Sequence, residues 1–347
     1  MSRLWTQLQA DGAAAGLSLP WPVEDAVELH EHASTRSFYR LVGKEEGAPA
    51  SGILVLYPDS DDHEVERYLK TAEWMRRAGV PVPRILAVGT RAILVEDGGD
   101  RLLAEAQLSD RERRDCYVRA AEIIGSIQRY GRRIEPPNGS WALDEARLAF
   151  EMEFFEEHTL QGWLGVDSGA TERKTHYERL VAAICELPVV ACHRDYHARN
   201  LIVGEDDLLV LDFQDVMWGP QLYDLASLVW DNYCAVPEPI QEASLLRYWQ
   251  VMGTGELSAS RAAAIPDIPR GLPAAARQAF CLVALQRHLK ALGTFGYQIT
   301  RAGRVGYERY MAATWEHVRR AAVALQWEDF LTRLSAFDRR VRGGLLE

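Results

Sequence analysis

Asp195 stands five residues ahead of Asn200 and directly behind His193 and Arg194, and Asp212 closes the second of two short apolar runs that follow. The spacing is H-R-D-x-x-x-x-N with a later Asp, an arrangement suited to phosphoryl transfer. Asp195, in a loop, can accept the proton of an attacking hydroxyl. Asn200 and Asp212 supply oxygens for Mg²⁺, a hard cation that keeps several waters and asks for few protein ligands. The three side chains are expected to face a shared cleft and to grip a Mg²⁺-bound nucleotide there. H-R-D alone would be a weak signal; the ordered set with a hairpin between its parts is a specific one.

Two short strands must hold that set. "NLIV" and "LLVLDF" flank "GEDD", which reads as a hairpin turn, and no other strand pair is expected in this half of the chain. Around the hairpin the chain reads as helical. Ser109 and Glu112 form a capping-box pattern that opens a helix reaching about Arg129. Trp141–Thr159, Thr171–Leu187, Pro273–Tyr297 and Glu308–Gln326 follow, with a further helix start at Tyr223. The first hundred residues read differently. "AVELHEHA" (Ala26–Ala33), "SFYRLV" (Ser37–Val42), "ILVLY" (Ile53–Tyr57), "RILAVG" and "AILVE" are strand-like, and "GKEEGAPASG" reads as a turn-rich connection. Val65, Tyr68, Leu69, Ala72 and Met75 recur at helical spacing, with Gly79 as a stop and Pro81 and Pro83 beyond it. "EDGGD" (Glu96–Asp100) suits a hinge. The fold class is α+β: residues 1–97 form a five-stranded sheet with one helix, and residues 98–347 form a mainly helical part.

Composition narrows the classes. The chain has 347 residues, 48% apolar and 26% charged, enough for about two domains with a core. A net charge of −11 argues against a general nucleic-acid binder, which would carry a basic face. The longest uninterrupted apolar run is Ala279–Leu285, against the roughly 20 residues of a membrane helix. The five cysteines show no C-x-x-C spacing, so neither a disulfide framework nor a zinc ribbon is expected, and most read as small buried hydrophobes. With no convincing signal sequence at the N-terminus, the expected setting is cytoplasmic, with no membrane and no nucleic-acid partner.

On these motifs the chain resembles the aminoglycoside-phosphotransferase/choline-kinase group of the protein-kinase-like fold, from about His32 to the C-terminal helices. "HRDYHARNLIV", "LDFQDVMWGPQLYDLASLVWDNY" and "ALQRHLKALGTF" are similar to one branch, the anomeric N-acetylmuramate/N-acetylglucosamine kinases of cell-wall recycling. That resemblance implies ATP-dependent phosphorylation of a sugar C1 hydroxyl. It also places adenine recognition at the backbone near Glu96 and Asp97. Protein-kinase activity is not expected, on internal grounds. Gln214 follows Phe213 where a glycine would stand, and eleven residues between Asp212 and Asp224 leave no room for an activation loop. Asp224 is expected to brace the catalytic loop through its backbone or His193.

Two departures stand out. The phosphate-covering turn, "HASTRSFYRL", has no glycine; Ser34, Thr35 and Ser37 can offer donors and Arg36 a charge. The third strand carries Leu56 where a phosphate-binding lysine is expected. The only lysines in the first 97 residues are Lys44, in a turn, and Lys70, on a helix. Arg36 or Arg40 is the candidate replacement, and Glu64 and Glu66 are expected to be solvated charges. Candidates for the acceptor are Arg199, Gln214, Asp215, Asp231, Arg287 and His288. Lys290 extends the last group, and this basic cluster favours an acidic amino sugar over a cationic aminoglycoside or choline. Trp218, Tyr223, Trp230 and Tyr233 are read mostly as core. The alternatives are another hydroxyl acceptor, aminoglycoside or choline, and a nucleotide-binding pseudokinase.

Overall fold

Trp5, Leu8 and Trp21 bury their rings and side chain against Leu41, Leu54 and Leu94, and this cluster is the core of the first of two compact units. The structure, a computed structural model, describes residues 3–10, 17–29, 36–57, 63–166, 169–253, 272 and 274–343. The first unit spans Met1–Arg101 and takes in Ile202–Gln214; the second spans Leu102–Leu201 and Asp215–Glu347.

In the first unit a short helix α1 (Arg3–Ala10) precedes β1 (Val23–Leu29), β2 (Ser37–Glu45), β3 (Ala48–Leu56), α2 (Glu64–Arg77), β4 (Ile85–Val88) and β5 (Ala92–Glu96). The five strands form one antiparallel sheet in the order β1-β2-β3-β5-β4. The stretch read as a turn-rich connection is mostly strand. Only Glu46 and Gly47 make the turn, both at positive φ (50° and 87°), so Glu45 pairs with Ala48 and the ladder runs on to Ser37 opposite Leu56. A two-residue turn with two positive φ values matches the twist of its strands, and the glycine carries the more strained position without a side-chain clash. Helix α2 ends as its sequence suggests. Gly79 sits at φ 76°, and the Val80 N–H reaches back to the Met75 carbonyl at 3.0 Å. A hairpin from later in the chain, β7 (Leu201–Val203) and β8 (Leu208–Val210), belongs largely to this unit; the Val210 N–H donates to Pro81 O at 2.8 Å.

The second unit is helical. Its elements are α3 (Asp110–Gly131), α4 (Glu145–Phe155), α5 (Ala170–Cys185), α6 (Tyr223–Val229), α7 (Glu238–Met252), α8 (Ala274–Thr300), α9 (Glu308–Ala324), α10 (Glu328–Arg333) and α11 (Ser335–Gly343). The capping box at Ser109 and Glu112 forms as expected, with the two reciprocal bonds in place. Helix α4 runs on as a π-helical stretch, Glu156–Trp163, where it lies against α8. Gly293 and Gly296 admit that approach: a β-carbon at either would stand within 3 Å of the Phe155 or His158 backbone. A second strand pair also exists. β6 (Val189–Cys192) and β9 (Met217–Pro220) run antiparallel, contrary to the expectation of one hairpin only. Among the described residues no helix is long and apolar enough to cross a membrane. No disulfide joins the five cysteines; Cys192 and Cys281 are buried as expected, while Cys185 is exposed and Cys116 and Cys234 are intermediate.

Candidate active site

The loop that carries the motif leaves β6 at Cys192 and returns through a single 3₁₀ turn, Ala198–Asn200. Two buried carboxylates hold it by its backbone. Asp224, in the first turn of α6, accepts from the His193 N–H at 2.7 Å and the Arg194 N–H at 2.8 Å. Asp231, just past the end of α6, accepts from the Ala198 N–H at 2.7 Å and the Tyr233 N–H at 2.7 Å. Burial pushes both carboxyls up, and these amides, with His193 beside Asp224, oppose it. Between the anchors Arg194 adopts φ 81°, a conformation that costs a non-glycine residue about 1–3 kcal/mol. The Tyr196 ring is fully buried and its hydroxyl donates to Ala120 O at 3.1 Å. The Asn200 Nδ2 donates to the Asp195 carbonyl at 2.9 Å, which fixes the amide so that its Oδ1 faces away from that bond.

The Asp195 side chain is half-buried, and Lys290 Nζ on α8 stands 3.4 Å from its Oδ1. Burial alone would raise the Asp195 carboxyl. Lys290 first, then Arg194, His197 and Arg287, outweigh it and hold the group well below the usual carboxylate range. Asp195 is therefore ionised at neutral pH and can accept a proton.

In the first unit Asp212 lies in the left-handed region, φ 56°, and its Oδ1 accepts from Arg36 Nη2 and Gln214 Nε2, both at 2.9 Å. The neighbouring Phe213 is fully buried and packs on Tyr68 of α2 with the rings tilted, centroids 4.8 Å apart. Arg36 also approaches the Phe38 ring, at 5.6 Å, and its charge opposes the burial that raises the Tyr57 phenol to about 12. Arg40 is bound elsewhere, to Asp97 at 2.8 Å and Asp100 at 2.7 Å. Glu96 accepts from the Arg84 N–H at 3.1 Å. Leu56 pairs with Ser37 at the end of β3, and Ser34 and Thr35 lie outside the described residues. Glu66 is solvated and pairs with Lys70 at 2.7 Å, but Glu64 is not: it is largely buried and pairs with Arg67 one turn on.

The acceptor candidates divide. Arg199 lies over the rings of Tyr233 (4.8 Å) and Tyr310 (5.2 Å) and 3.8 Å from Glu105. Gln214 is buried and turned to Asp212, and Asp215 is half-buried. Asp231 and His288 depart from expectation. Both Asp231 oxygens are taken by backbone amides. His288 is fully buried, with Nδ1 on Ala284 O and Nε2 on Trp230 O at 2.8 Å, which leaves no ring nitrogen for a ligand. Arg287 is buried with Nε on Ser227 Oγ, near enough to act on Asp195. Tyr223 and Trp230 are core, as read; Tyr233 is only half-buried and packs on the His197 ring at 4.7 Å. The contact of Lys290 with Asp195 was not legible, because 95 residues separate the two. Among the described residues no cluster of three or more His, Cys, Asp or Glu could hold a metal, so a metal here would draw on isolated oxygens and an amide.

Residues 25–264 match the Phosphotransferase enzyme family, about two thirds of the chain. The chain belongs to that family. The phosphotransferase is 30% identical over 291 residues, 82% of this chain and 80% of the other, to a Pseudomonas aeruginosa protein named N-acetylmuramate/N-acetylglucosamine kinase. It is 26% identical over 298 residues, 84% and 83% of the two chains, to a Neisseria meningitidis protein of the same name. A solved choline/ethanolamine kinase family protein from Mesorhizobium loti shares the fold, with a TM-score of 0.57 and 16% identity over 96% of this chain and 98% of that one. The five-stranded antiparallel sheet and the helical unit are thus those of the protein-kinase-like fold, as the sequence motifs implied.

Proposed function

We propose that this phosphotransferase uses ATP and Mg²⁺ to phosphorylate the anomeric hydroxyl of N-acetylmuramate or N-acetylglucosamine. The observation that carries the reading is Asp195, a half-buried carboxylate kept ionised beside Lys290 at the middle of a loop whose backbone two buried carboxylates brace. The names of relatives that match over four fifths of their length support the acceptor.

Asp195 accepts the proton of the acceptor hydroxyl as that hydroxyl oxygen bonds to the γ-phosphorus of ATP and the bond to the leaving ADP breaks. Lys290 keeps the carboxylate charged before the transfer and offsets negative charge near it during the transfer. Asn200, whose Nδ2 is committed to the Asp195 carbonyl, has its Oδ1 for a cation, and Asp212 offers a carboxylate. Oxygen donors of this kind suit Mg²⁺, and Arg36 Nη2 lies 2.9 Å from Asp212 Oδ1. The bound ion would neutralise phosphate charge. Arg36 is the residue best set to replace the missing third-strand lysine, because Arg40 is committed to Asp97 and Asp100. His193 and Asp224 are structural members of the site.

The test is turnover of Mg-ATP against a panel of N-acetylmuramate, N-acetylglucosamine, aminoglycosides and choline, with the product read by ³¹P NMR. Phosphate at sugar C1 supports the reading. Turnover of aminoglycosides or choline alone, or nucleotide binding with no turnover of any of these acceptors, overturns it.

A further inference from the structure

Beyond Asp195 on the same unit, four aromatic rings close around a group of arginines that the mechanism above does not use. Tyr233, Phe295, Tyr307 and Tyr310 pack edge to face or tilted, with centroids 5.0 to 6.2 Å apart. Arg199 lies over two of these rings, and Arg309 over Tyr310 at 4.7 Å. Arg304 lies in the loop between α8 and α9, three residues ahead of Tyr307. Burial raises the Tyr307 phenol, and the charges of Arg304, Arg199 and Arg309 act against it. The exposed carboxylate of Glu105, 3.8 Å from Arg199, is a weak counter-charge.

Two polar atoms in this nest are buried and lack a hydrogen-bond partner among the described residues: Arg304 Nη1 and Gln298 Oε1. Gln298 is 8% exposed, and its backbone carbonyl accepts from the Arg304 backbone N–H at 2.8 Å. A buried donor and a buried acceptor left open are costly unless a ligand or water completes them. The nest also lies close to the reacting carboxylate. Arg199 is four residues after Asp195. Phe295 is five residues past Lys290 on α8, roughly 7–8 Å along the helix axis. After burial, the Asp195 charge is the next influence that raises the Tyr233 phenol.

We propose that Arg304, with Arg199 beside it, forms an anion subsite that receives the lactyl carboxylate of an N-acetylmuramate acceptor. The subsite thereby sets the preference for the acidic amino sugar over N-acetylglucosamine. The inference rests on the function proposed above. A guanidinium fork matches a carboxylate in a way that an ammonium does not, and the tyrosine faces give the sugar ring flat apolar walls. Lys290 is committed to Asp195, and Arg287 gives its Nε to Ser227 while its Nη1, like that of Arg304, is buried without a partner among the described residues.

The experiment measures kcat/KM for both sugars with the full chain, as wild type, Arg304→Gln and Arg304→Lys. The ratio of N-acetylmuramate to N-acetylglucosamine kcat/KM is expected to fall tenfold or more in Arg304→Gln and to recover in part in Arg304→Lys. A ratio within twofold of wild type overturns the inference, whether or not both activities fall; so does a change confined to the KM for ATP. If Arg304→Gln does not fold, Arg199→Gln reads the same ratio. If the wild type phosphorylates neither sugar, the function above fails on its own. The subsite is then judged by thermal shift with N-acetylmuramate: a rise in Tm that Arg304→Gln abolishes supports it, and an equal rise or none overturns it.

Discussion

Lys290 Nζ lies 3.4 Å from Oδ1 of Asp195, and this contact joins the long helix α8 to the loop that carries the motif. It makes Lys290 the main reason Asp195 stays charged in spite of its burial. Lys290→Met should lower kcat by about tenfold to a hundredfold and move the acid limb of the kcat profile to higher pH. The sign follows from the shift: the folded carboxyl titrates below its unfolded value, so its ionised form persists to low pH, and loss of the cation brings the titration upward. Lys290→Arg should keep the limb near its wild-type position. An unmoved limb in Lys290→Met would show that the lysine does not set the titration of Asp195.

Asp224 and Arg194 are coupled in a different way. The left-handed backbone of Arg194 persists because its N–H and that of His193 both end on one buried carboxylate. Asp224→Asn keeps an oxygen but turns an NH₂ toward a donor. The expected cost is about 2–4 kcal/mol of stability by urea unfolding, with turnover lost even where the variant is folded. A stable variant with full turnover would show that the loop needs no such brace.

How far the sequence could be read depended on how local each signal was. Gly79 and the Ser109–Glu112 box act within one helical turn, so both were visible; Asp195, Asn200 and Asp212 stand at fixed short spacings, which made the motif legible as a motif. The β6–β9 pair was not: "VVAC" and "MWGP" are four residues each, and one ends in Gly-Pro. In "GKEEGAPASG" the abundance of turn formers masked a turn only two residues long. The fates of Asp231 and His288 turned on distant backbone, the Ala198 amide and the Trp230 carbonyl, which side-chain patterns do not report.

Arg36 and Arg40 occupy neighbouring positions of the first unit but answer to different carboxylates. Arg36→Ala should raise the KM for ATP by about tenfold with a smaller change in the KM for sugar, since its charge-assisted bond to Asp212 is the only one of the two that involves a proposed metal ligand. Arg40→Ala should act on Asp97 and Asp100 instead, through a modest loss of thermal stability. If neither variant changes KM or turnover, the replacement for the third-strand lysine must be sought elsewhere.

His288 and His317 predict how the phosphotransferase responds to acid. Their rings lie 4.8 Å apart in the helical unit, and His317 stacks on Trp230 at 5.4 Å. Burial lowers both: His288 falls well below its ordinary value, with His317 and Arg287 adding to the fall against the Trp230 and Ala284 carbonyls, and His317 falls to about 4, with Arg320 and Arg287 adding to it against the Asp231 carbonyl. A histidine depressed in the folded state binds its proton more readily when unfolded. The stability it contributes is therefore intact above about pH 6.5 and is lost as pH falls from there toward the folded value, at up to ~1.4 kcal/mol per pH unit for each ring. The Tm should fall through that window, and it should fall less steeply in His317→Phe, which keeps the stack on Trp230 but cannot take a proton. Because His317 Nε2 lies 3.3 Å from the Asp231 carbonyl, turnover measured after a brief acid pulse should be lost in step with the Tm. An identical Tm slope in wild type and His317→Phe would move the acid-sensitive group away from this pair.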